Sequence, residues 1–195
     1  MQDKYVLLQI VCLYKKVYMS LVIGNGLHTN ISCGPLINQN GLEKVISHVN
    51  DAVSKGATVL TGGSINHDLN TNGGTFYNPT VLSNITTDML PYQEETFGPV
   101  APLMSFKTEE EVIKLANDTK FGLASYVCTR DLGRSWRVAE ALEFGMVGVN
   151  EGGISTDINP FGGIKESGIG REGGKYGLDE YLEHKYICMG GIDRK

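Results

Sequence analysis

The sequence predicts an α/β fold with a largely parallel sheet, on three observations. Segments with helical apolar spacing alternate with short strand-like runs along most of the chain. Hydrophobic residues make up 41% of the 195 residues and charged residues 20%, which is typical of a domain with a real core. Glycine accounts for 25 residues, many of them within 62–74 and 145–174. Because apolar residues continue through the second block, we expect a shaped loop surface there.

The first half of the chain contains two predicted helices. Residues 5–14 are mostly apolar and precede Lys15 and Lys16. We interpret this run as a core helix, because it is too short to span a bilayer; a signal peptide is the alternative. Residues 42–53 have helical apolar spacing that stops at Gly56. Strands are predicted at 57–60, 76–82 and 100–106, with a surface loop at 64–75.

The second half contains two further helices. Thr108 and Glu111 form a capping box before a run with helical apolar spacing. Asp131 is predicted to cap the next helix, which we expect Gly145 to close. Strands are predicted at 123–129, 146–150 and 186–189.

Charge and cysteine spacing exclude several classes of function. The net charge is −5 and the basic residues are dispersed, which argues against nucleic-acid binding. No C-x-x-C occurs and no Cys/His pair has zinc-finger spacing, so we expect no metal site. Reduced thiols are favoured over disulfides, because the chain is not short and Cys-dense. The four cysteines are Cys12, Cys33, Cys128 and Cys188.

One glycine pattern formally matches a dinucleotide-binding fingerprint, at Gly168, Gly170 and Gly173. A working fingerprint follows a strand and opens a helix, so that phosphate meets free N–H groups. No strand pattern precedes this one, and the acidic residue expected about 20 positions later would fall at the end of the chain. A turn-rich loop with closely packed backbone is the favoured interpretation, and a Rossmann turn is the alternative.

Glu94 and Glu95 precede a short aromatic turn. Adjacent carboxylates are usually just solvated, but here Phe97 offers a flat apolar face beside them. Gly98 lets backbone pass closely and Pro99 makes the exit rigid. A carboxylate next to an aromatic ring suits a ribose diol and a nicotinamide.

Several motifs resemble hallmark segments of the aldehyde dehydrogenase superfamily. They include E-E-T-F-G-P at 94–99 and P-F-G-G-I-K-E-S-G-I-G-R-E at 160–172. G-P-L-I-N at 34–38 and G-L-A-S-Y-V at 122–127 also fit. The resemblance implies an NAD or NADP cofactor, with Glu95 holding the nicotinamide-ribose hydroxyls and Phe97 contacting the nicotinamide ring.

Within this superfamily, residues 145–155 and 175–191 look most like succinate-semialdehyde dehydrogenases. This resemblance implies oxidation of succinate semialdehyde to succinate. Ser155 would then help to bind the distal carboxylate of the small aldehyde substrate, although capping a turn is the alternative role. Phe161 would line the substrate tunnel, with core packing as its alternative.

The same resemblance implies that Asn150 and Gly162 hold this loop in place. It also points to a mitochondrial location, with the cytoplasm as the alternative. No membrane partner is expected.

The resemblance further implies a cysteine nucleophile, a carboxylate base and a dinucleotide-binding domain, all upstream of this chain. None of the four cysteines matches the nucleophile, so we assign no catalytic residue and expect a carboxy-terminal fragment that is inactive alone. We expect a divergent helix at 1–23, a partial catalytic domain at 24–180, and an oligomerisation strand with its tail at 181–195. The alternative is a noncatalytic truncated subunit. In either case we expect a homo-oligomer or association with full-length subunits through that strand.

Overall fold

Helices and short strands alternate through residues 2–191, the part of the chain that the computed structural model describes, with side chains from residue 11 onward. Met1 and residues 192–195, which the predicted first and last segments include, lie outside the described residues. The chain comprises two compact units, Met1–Lys107 and Thr108–Lys195. The predicted α/β class is confirmed.

The first unit places two helices and a one-turn helix around a three-stranded sheet. The strand order is β1-β2-β3, with β1 antiparallel to β2 and β2 parallel to β3. A loop without a helix joins β1 to β2, whereas the connection from β2 to β3 contains α3, as parallel pairing requires a crossover. The elements are α1 (Gln2–Met19), α2 (Gln39–Ser54), β1 (Thr58–Thr61), β2 (Thr80–Ser83), α3 (Leu90–Gln93) and β3 (Val100–Pro102).

The core of the first unit forms around α2. The helix begins at Asn38, whose side-chain oxygen accepts a hydrogen bond of 2.9 Å from the Gly41 amide. Such a cap is worth about 1 kcal/mol. Because buried residues recur every three or four positions, one face of the helix packs into the core. The core cluster consists of Leu42, Val45, Val49, Ala52, Ala57, Tyr77, Leu82, Ile85 and Met89.

The second unit contains two helices and four short strands. Both helices have the predicted caps: Thr108 Oγ1 accepts from the Glu111 amide at 3.1 Å, and Asp131 Oδ1 from the Arg134 amide at 2.7 Å. β5 and β6 are parallel across the α5 crossover, and β4 is antiparallel to β7. The elements are α4 (Glu109–Asn117), β4 (Phe121–Gly122), β5 (Ala124–Val127), α5 (Leu132–Ala141), β6 (Met146–Val149), β7 (Ile164–Lys165) and a 3₁₀ helix (Lys175–Tyr181).

The first helix extends beyond the predicted 5–14 at both ends, and most of its described side chains, which begin at residue 11, are exposed. α1 packs on β1 and β2, but Leu13, Tyr14, Val17 and Met19 are all exposed. Within residues 2–191, no helix is long and apolar enough to cross a membrane.

Other sequence predictions also differ from the structure. The strands predicted at 76–82 and 100–106 are shorter, and form β2 and β3. Residues 186–189 belong to no strand, because a strand needs a hydrogen-bonded partner and none of the described residues supplies one. The helix before Gly145 ends earlier, at Ala141, where Leu142 adopts extended backbone. Gly145 therefore does not close the helix and serves a different purpose, described below.

Candidate functional site

Residues 94–98 form a turn, which we call the 94–98 turn. Contacts from α2 anchor the start of this turn. The Leu90 amide, in the first turn of α3, donates a 2.7 Å hydrogen bond to Asp51 Oδ2. Lys55 Nζ lies 2.8 Å from Asp51 Oδ1 and donates to the Asp88 carbonyl at 2.6 Å. The hydrogen bond from Lys55, followed by that from the Leu90 amide, holds the pKa of Asp51 below its ordinary value. The end of α2 thus fixes where the 94–98 turn begins.

The far end of the turn is held by the sheet and by close packing. The Thr80 amide donates a 2.8 Å hydrogen bond to the Pro99 carbonyl, directly before β3. A Cβ atom on Gly98 would lie 2.4 Å from Cγ2 of Val45, which is fully buried on α2. Glycine at 98 therefore lets the turn lie directly on the helix.

His48 contacts the middle of the turn from the buried face of α2. Only 2% of it is exposed, its Nδ1 lies 3.1 Å from Thr96 Oγ1, and its Nε2 lies 3.5 Å from Glu94 Oε2. A carboxylate only accepts, so the Nε2–H donates to Glu94 and Nδ1 accepts from the Thr96 hydroxyl. Burial, assisted by Lys44, lowers the pKa of His48, and this outweighs the opposing effect of Glu94. The imidazole is therefore neutral at neutral pH.

The two predicted cofactor-binding residues of this turn both face solvent. Glu95 is exposed and its carboxylate forms no hydrogen bond or ion pair with the described residues. Phe97 is 80% exposed and has a φ of +51°, a conformation that costs a non-glycine residue energy. Glu95 and Phe97 thus present an exposed carboxylate and an exposed aromatic ring two residues apart in the same turn.

The glycine-rich loop of the second unit begins at Asn150, which is clasped to the end of β5. Asn150 Nδ2 donates to the Thr129 carbonyl at 2.8 Å, and Asn150 Oδ1 accepts from the Thr129 amide at 2.9 Å. Asn150 has a φ of +54°, a left-handed conformation that asparagine tolerates better than most residues. Ser155 follows within the loop, exposed, with a hydroxyl that bonds to none of the described residues.

Phe161 lies where this loop folds back on itself. Its backbone exchanges two hydrogen bonds of 2.7 Å with Glu172, and its side chain is half-buried. A Cβ atom on Gly162 would lie 2.6 Å from the Gly170 carbonyl oxygen, and one on Gly145 would lie 2.0 Å from the Gly162 carbonyl oxygen. Glycine at 145 and 162 is therefore needed because backbone passes against backbone.

The glycines at 168, 170 and 173 form turns, in agreement with the favoured interpretation. Their φ angles are +126°, +92° and +73°, all in the region that favours glycine. Only the two-residue β7 precedes them, and a 3₁₀ helix follows. The arrangement lacks the strand and α-helix that a phosphate-binding fingerprint needs.

All four cysteines are free thiols in the structure, and Cys33 is the only one of them that is not exposed. Burial raises the pKa of the Cys33 thiol, so it is a weaker nucleophile at neutral pH than an ordinary cysteine. Among the described residues, no group of three or more His, Cys, Asp or Glu side chains is placed to hold a metal ion.

Sequence reasoning missed the role of His48. A signal was present, because His48 lies on the same helical face as Val45, Val49 and Ala52, and a polar residue on an apolar face must find a partner. Of the four predicted site residues, the structure brings Glu95 and Phe97 together in the first unit. Ser155 and Phe161 lie in the second unit.

Comparison with known proteins gives a consistent result. Residues 4–187 match the sequence profile of the aldehyde dehydrogenase family. The mitochondrial succinate-semialdehyde dehydrogenase of Oryza sativa subsp. japonica is 58% identical over 178 residues, which cover 91% of this chain and 33% of that protein. The glutarate-semialdehyde dehydrogenase of Pseudomonas aeruginosa is 55% identical over 178 residues, covering 91% of this chain and 36% of that protein.

The fold comparison agrees with the sequence comparison. A crystal structure of succinate-semialdehyde dehydrogenase from Burkholderia pseudomallei matches 90% of this chain and 36% of its own, with a TM-score of 0.85 and 51% identity. The chain therefore spans about a third of the length of the relatives that it matches.

Proposed function

Because the chain belongs to the aldehyde dehydrogenase family, we propose that it forms part of an enzyme that oxidises succinate semialdehyde to succinate with NAD or NADP. The bound nicotinamide would accept hydride from the substrate. The chain contributes part of the cofactor site and part of the substrate site, and other regions of the enzyme supply the nucleophile and the base.

The exposed pair Glu95 and Phe97 carries this proposal. A carboxylate with two acceptor oxygens fits a ribose diol, which offers two O–H donors. The Phe97 ring, held outward at a φ of +51°, offers an apolar face to a nicotinamide. Strained backbone conformations of this kind cluster at active sites and ligand sites.

Substrate selection is assigned to the glycine-rich loop. The unpartnered Ser155 hydroxyl is able to donate to a carboxylate, and the half-buried Phe161 ring supplies an apolar surface for the carbon chain. The relatives from rice and from Pseudomonas aeruginosa are named for succinate and glutarate semialdehydes. Both compounds carry a carboxylate at the end opposite the aldehyde, and they differ by one methylene.

A chimaeric enzyme tests the proposal. The matching third of the rice enzyme is replaced by this chain, and NADH or NADPH formation is followed with succinate or glutarate semialdehyde. We expect Glu95→Gln to slow hydride transfer, because the neutral amide holds the ribose less well. The matched control is Glu110→Gln, since Glu110 is an exposed carboxylate on α4. An unchanged rate in Glu95→Gln would remove the role of Glu95, and turnover by the chain alone would contradict its dependence on other regions.

A noncatalytic subunit is the second candidate function. The carboxy-terminal segment exposes a series of large apolar side chains and forms no strand with the described residues. Such a segment is suited to pairing with another chain. Its exposed residues are Tyr181, Leu182, Tyr186, Ile187 and Met189.

Co-expression with a full-length relative separates the two candidates. Stable co-purification, together with an inactive chimaera, would favour the noncatalytic subunit. A monomeric chain with an active chimaera would favour the enzyme. We further propose a mitochondrial location, supported by the rice, rat and Arabidopsis relatives, which are named as mitochondrial. Subcellular fractionation of the native protein tests it.

A further inference from the structure

We propose that His48 is a positioning residue for the cofactor site: its buried imidazole clamps the 94–98 turn from beneath and sets Glu95 and Phe97 outward. The inference rests on the proposed function, since it concerns the same turn. It adds a residue that neither the motifs nor the sequence reasoning singled out.

The clamp acts on both sides of Glu95. The two ring nitrogens of His48 lie 3.5 Å from Glu94 Oε2 and 3.1 Å from Thr96 Oγ1. Glu94 has extended backbone, with φ −128° and ψ 147°. Successive side chains alternate in direction along an extended backbone. When residues 94 and 96 point towards α2, Glu95 is therefore turned to the opposite side.

The other anchors of the turn do not supply this control. Asp51 fixes α3, and the packing of Gly98 on Val45 fixes the far end of the turn. Neither contact decides which way the side chain at 95 points. That choice depends on the side chains at 94 and 96, and both of them contact His48.

Protonation would reverse one half of the clamp. The ionisable groups that act on the imidazole are Lys44 and Asp51 from α2 itself and Glu94 from the turn. In the neutral ring, Nδ1 accepts from the Thr96 hydroxyl. In the protonated ring both nitrogens donate, so the hydroxyl must turn away from Nδ1. The order of the turn should therefore follow the ionisation of His48.

Nuclear magnetic resonance on the whole chain tests the inference. The imidazole of His48 and the amides of Glu95 and Phe97 are titrated with acid. We expect a shared midpoint below the ordinary histidine value of about 6.5, because burial lowers the pKa of His48. His48→Gln should remove this midpoint from both amides while preserving the turn, since a carboxamide still donates to one partner and accepts from the other.

His48→Ala should remove the clamp itself. The Glu94 and Val100 amides donate to the Leu90 and Gly98 carbonyls at 2.9 and 2.7 Å. We expect hydrogen exchange at these two amides to accelerate about tenfold, the ratio expected for a lost buried hydrogen bond. The matched control is Val49→Ala, which removes a buried side chain of the same helix but leaves the contacts to Glu94 and Thr96 in place. If His48→Ala does not fold, the same exchange measurement is made on Thr96→Val, which removes the hydroxyl that bonds to His48 Nδ1.

Two results would overturn the inference. One is independence of the Glu95 and Phe97 amides from the titration of His48. The other is equal acceleration of exchange in His48→Ala and Val49→Ala, which would reduce His48 to a generic packing residue.

Nicotinamide mononucleotide separates this inference from the proposed function. If the turn follows His48 but the ligand does not shift the Phe97 amide, the cofactor proposal fails and the positioning role stands. If the ligand binds equally well to the native chain and to His48→Ala, the positioning role fails and the cofactor proposal stands.

Discussion

Replacing Gly98 by alanine should detach the 94–98 turn from α2. The new Cβ would lie 2.4 Å from Val45 Cγ2, whereas carbon atoms in contact lie about 3.5–4.0 Å apart. The turn or the helix must therefore move by more than about 1 Å, and overpacking of this kind costs about 1–3 kcal/mol. We expect Gly98→Ala to lower the free energy of unfolding by this amount, measured by urea denaturation with circular dichroism.

A second substitution identifies the cause of the loss. Val45→Ala removes Cγ2 and should itself cost about 2 kcal/mol, since two buried methyl groups are lost. In that background the alanine at 98 fits the vacated space, because the next neighbours, Leu36 Cδ2 and Val45 Cβ, lie at ordinary contact distances of 3.5 and 3.6 Å. The double variant should therefore be no less stable than Val45→Ala alone.

The control for this cycle is Gly26→Ala, where an added Cβ would have no atom within 4 Å. It should change the stability by less than about 0.5 kcal/mol. The reasoning is refuted if Gly98→Ala unfolds at the same urea concentration as the native chain. It is equally refuted if Gly98→Ala lowers the free energy of unfolding as much in the Val45→Ala background as in the native chain.

Three further predictions concern other sites. The pKa of His48 is lowered in the folded chain, so the unfolded chain binds a proton at higher pH than the folded chain does. The free energy of unfolding should therefore fall as the pH drops below about 6.5. His48→Gln should flatten this pH dependence, measured by urea denaturation at a series of pH values. Asp131→Ala removes the cap on the Arg134 amide and should cost about 1 kcal/mol, read from thermal melts, with Asp131→Asn retaining most of the stability. Gly145→Ala places Cβ 2.0 Å from the backbone oxygen of Gly162. Because a backbone atom cannot move aside as a side chain can, the free energy of unfolding in urea should fall by about 3 kcal/mol or more. Stability equal to that of the native chain would contradict the close backbone approach.

Elements that depend on their own residues were predicted well from the sequence. The helix predicted over 42–53 lies within α2 (Gln39–Ser54), because its apolar spacing and its stop at Gly56 are local features. The caps Thr108 and Asp131 are likewise local, since each bonds an amide three residues ahead.

Elements that depend on distant partners were missed. The one-turn helix Leu90–Gln93 has no side-chain cap of its own and is held by Asp51, 39 residues earlier. Four residues are too few to show the periodic apolar spacing that predicts a helix. Conversely, residues 186–189 have the composition of a strand but find no partner among the described residues.

The candidate site likewise combines local features that the sequence predicts with a distant contact that it does not. Glu95 and Phe97 were predicted from a contiguous motif, and the structure places both in the open. His48 acts on that motif from 48 residues away, and its tautomer follows only from the chemistry of the two groups it contacts. Spacing along the chain does not encode a contact of this kind.

The carboxylate of Asp51 couples the last turn of α2 to α3 and, through α3, to the start of the 94–98 turn. When the last turn of α2 opens, Asp51 withdraws from the Leu90 amide, and the 94–98 turn loses the anchor at its start. Linkage runs equally in the other direction, because a molecule that binds only the ordered turn disfavours the opened helix. A nucleotide resting on the outer side of the turn would therefore slow proton exchange within a helix that it never touches.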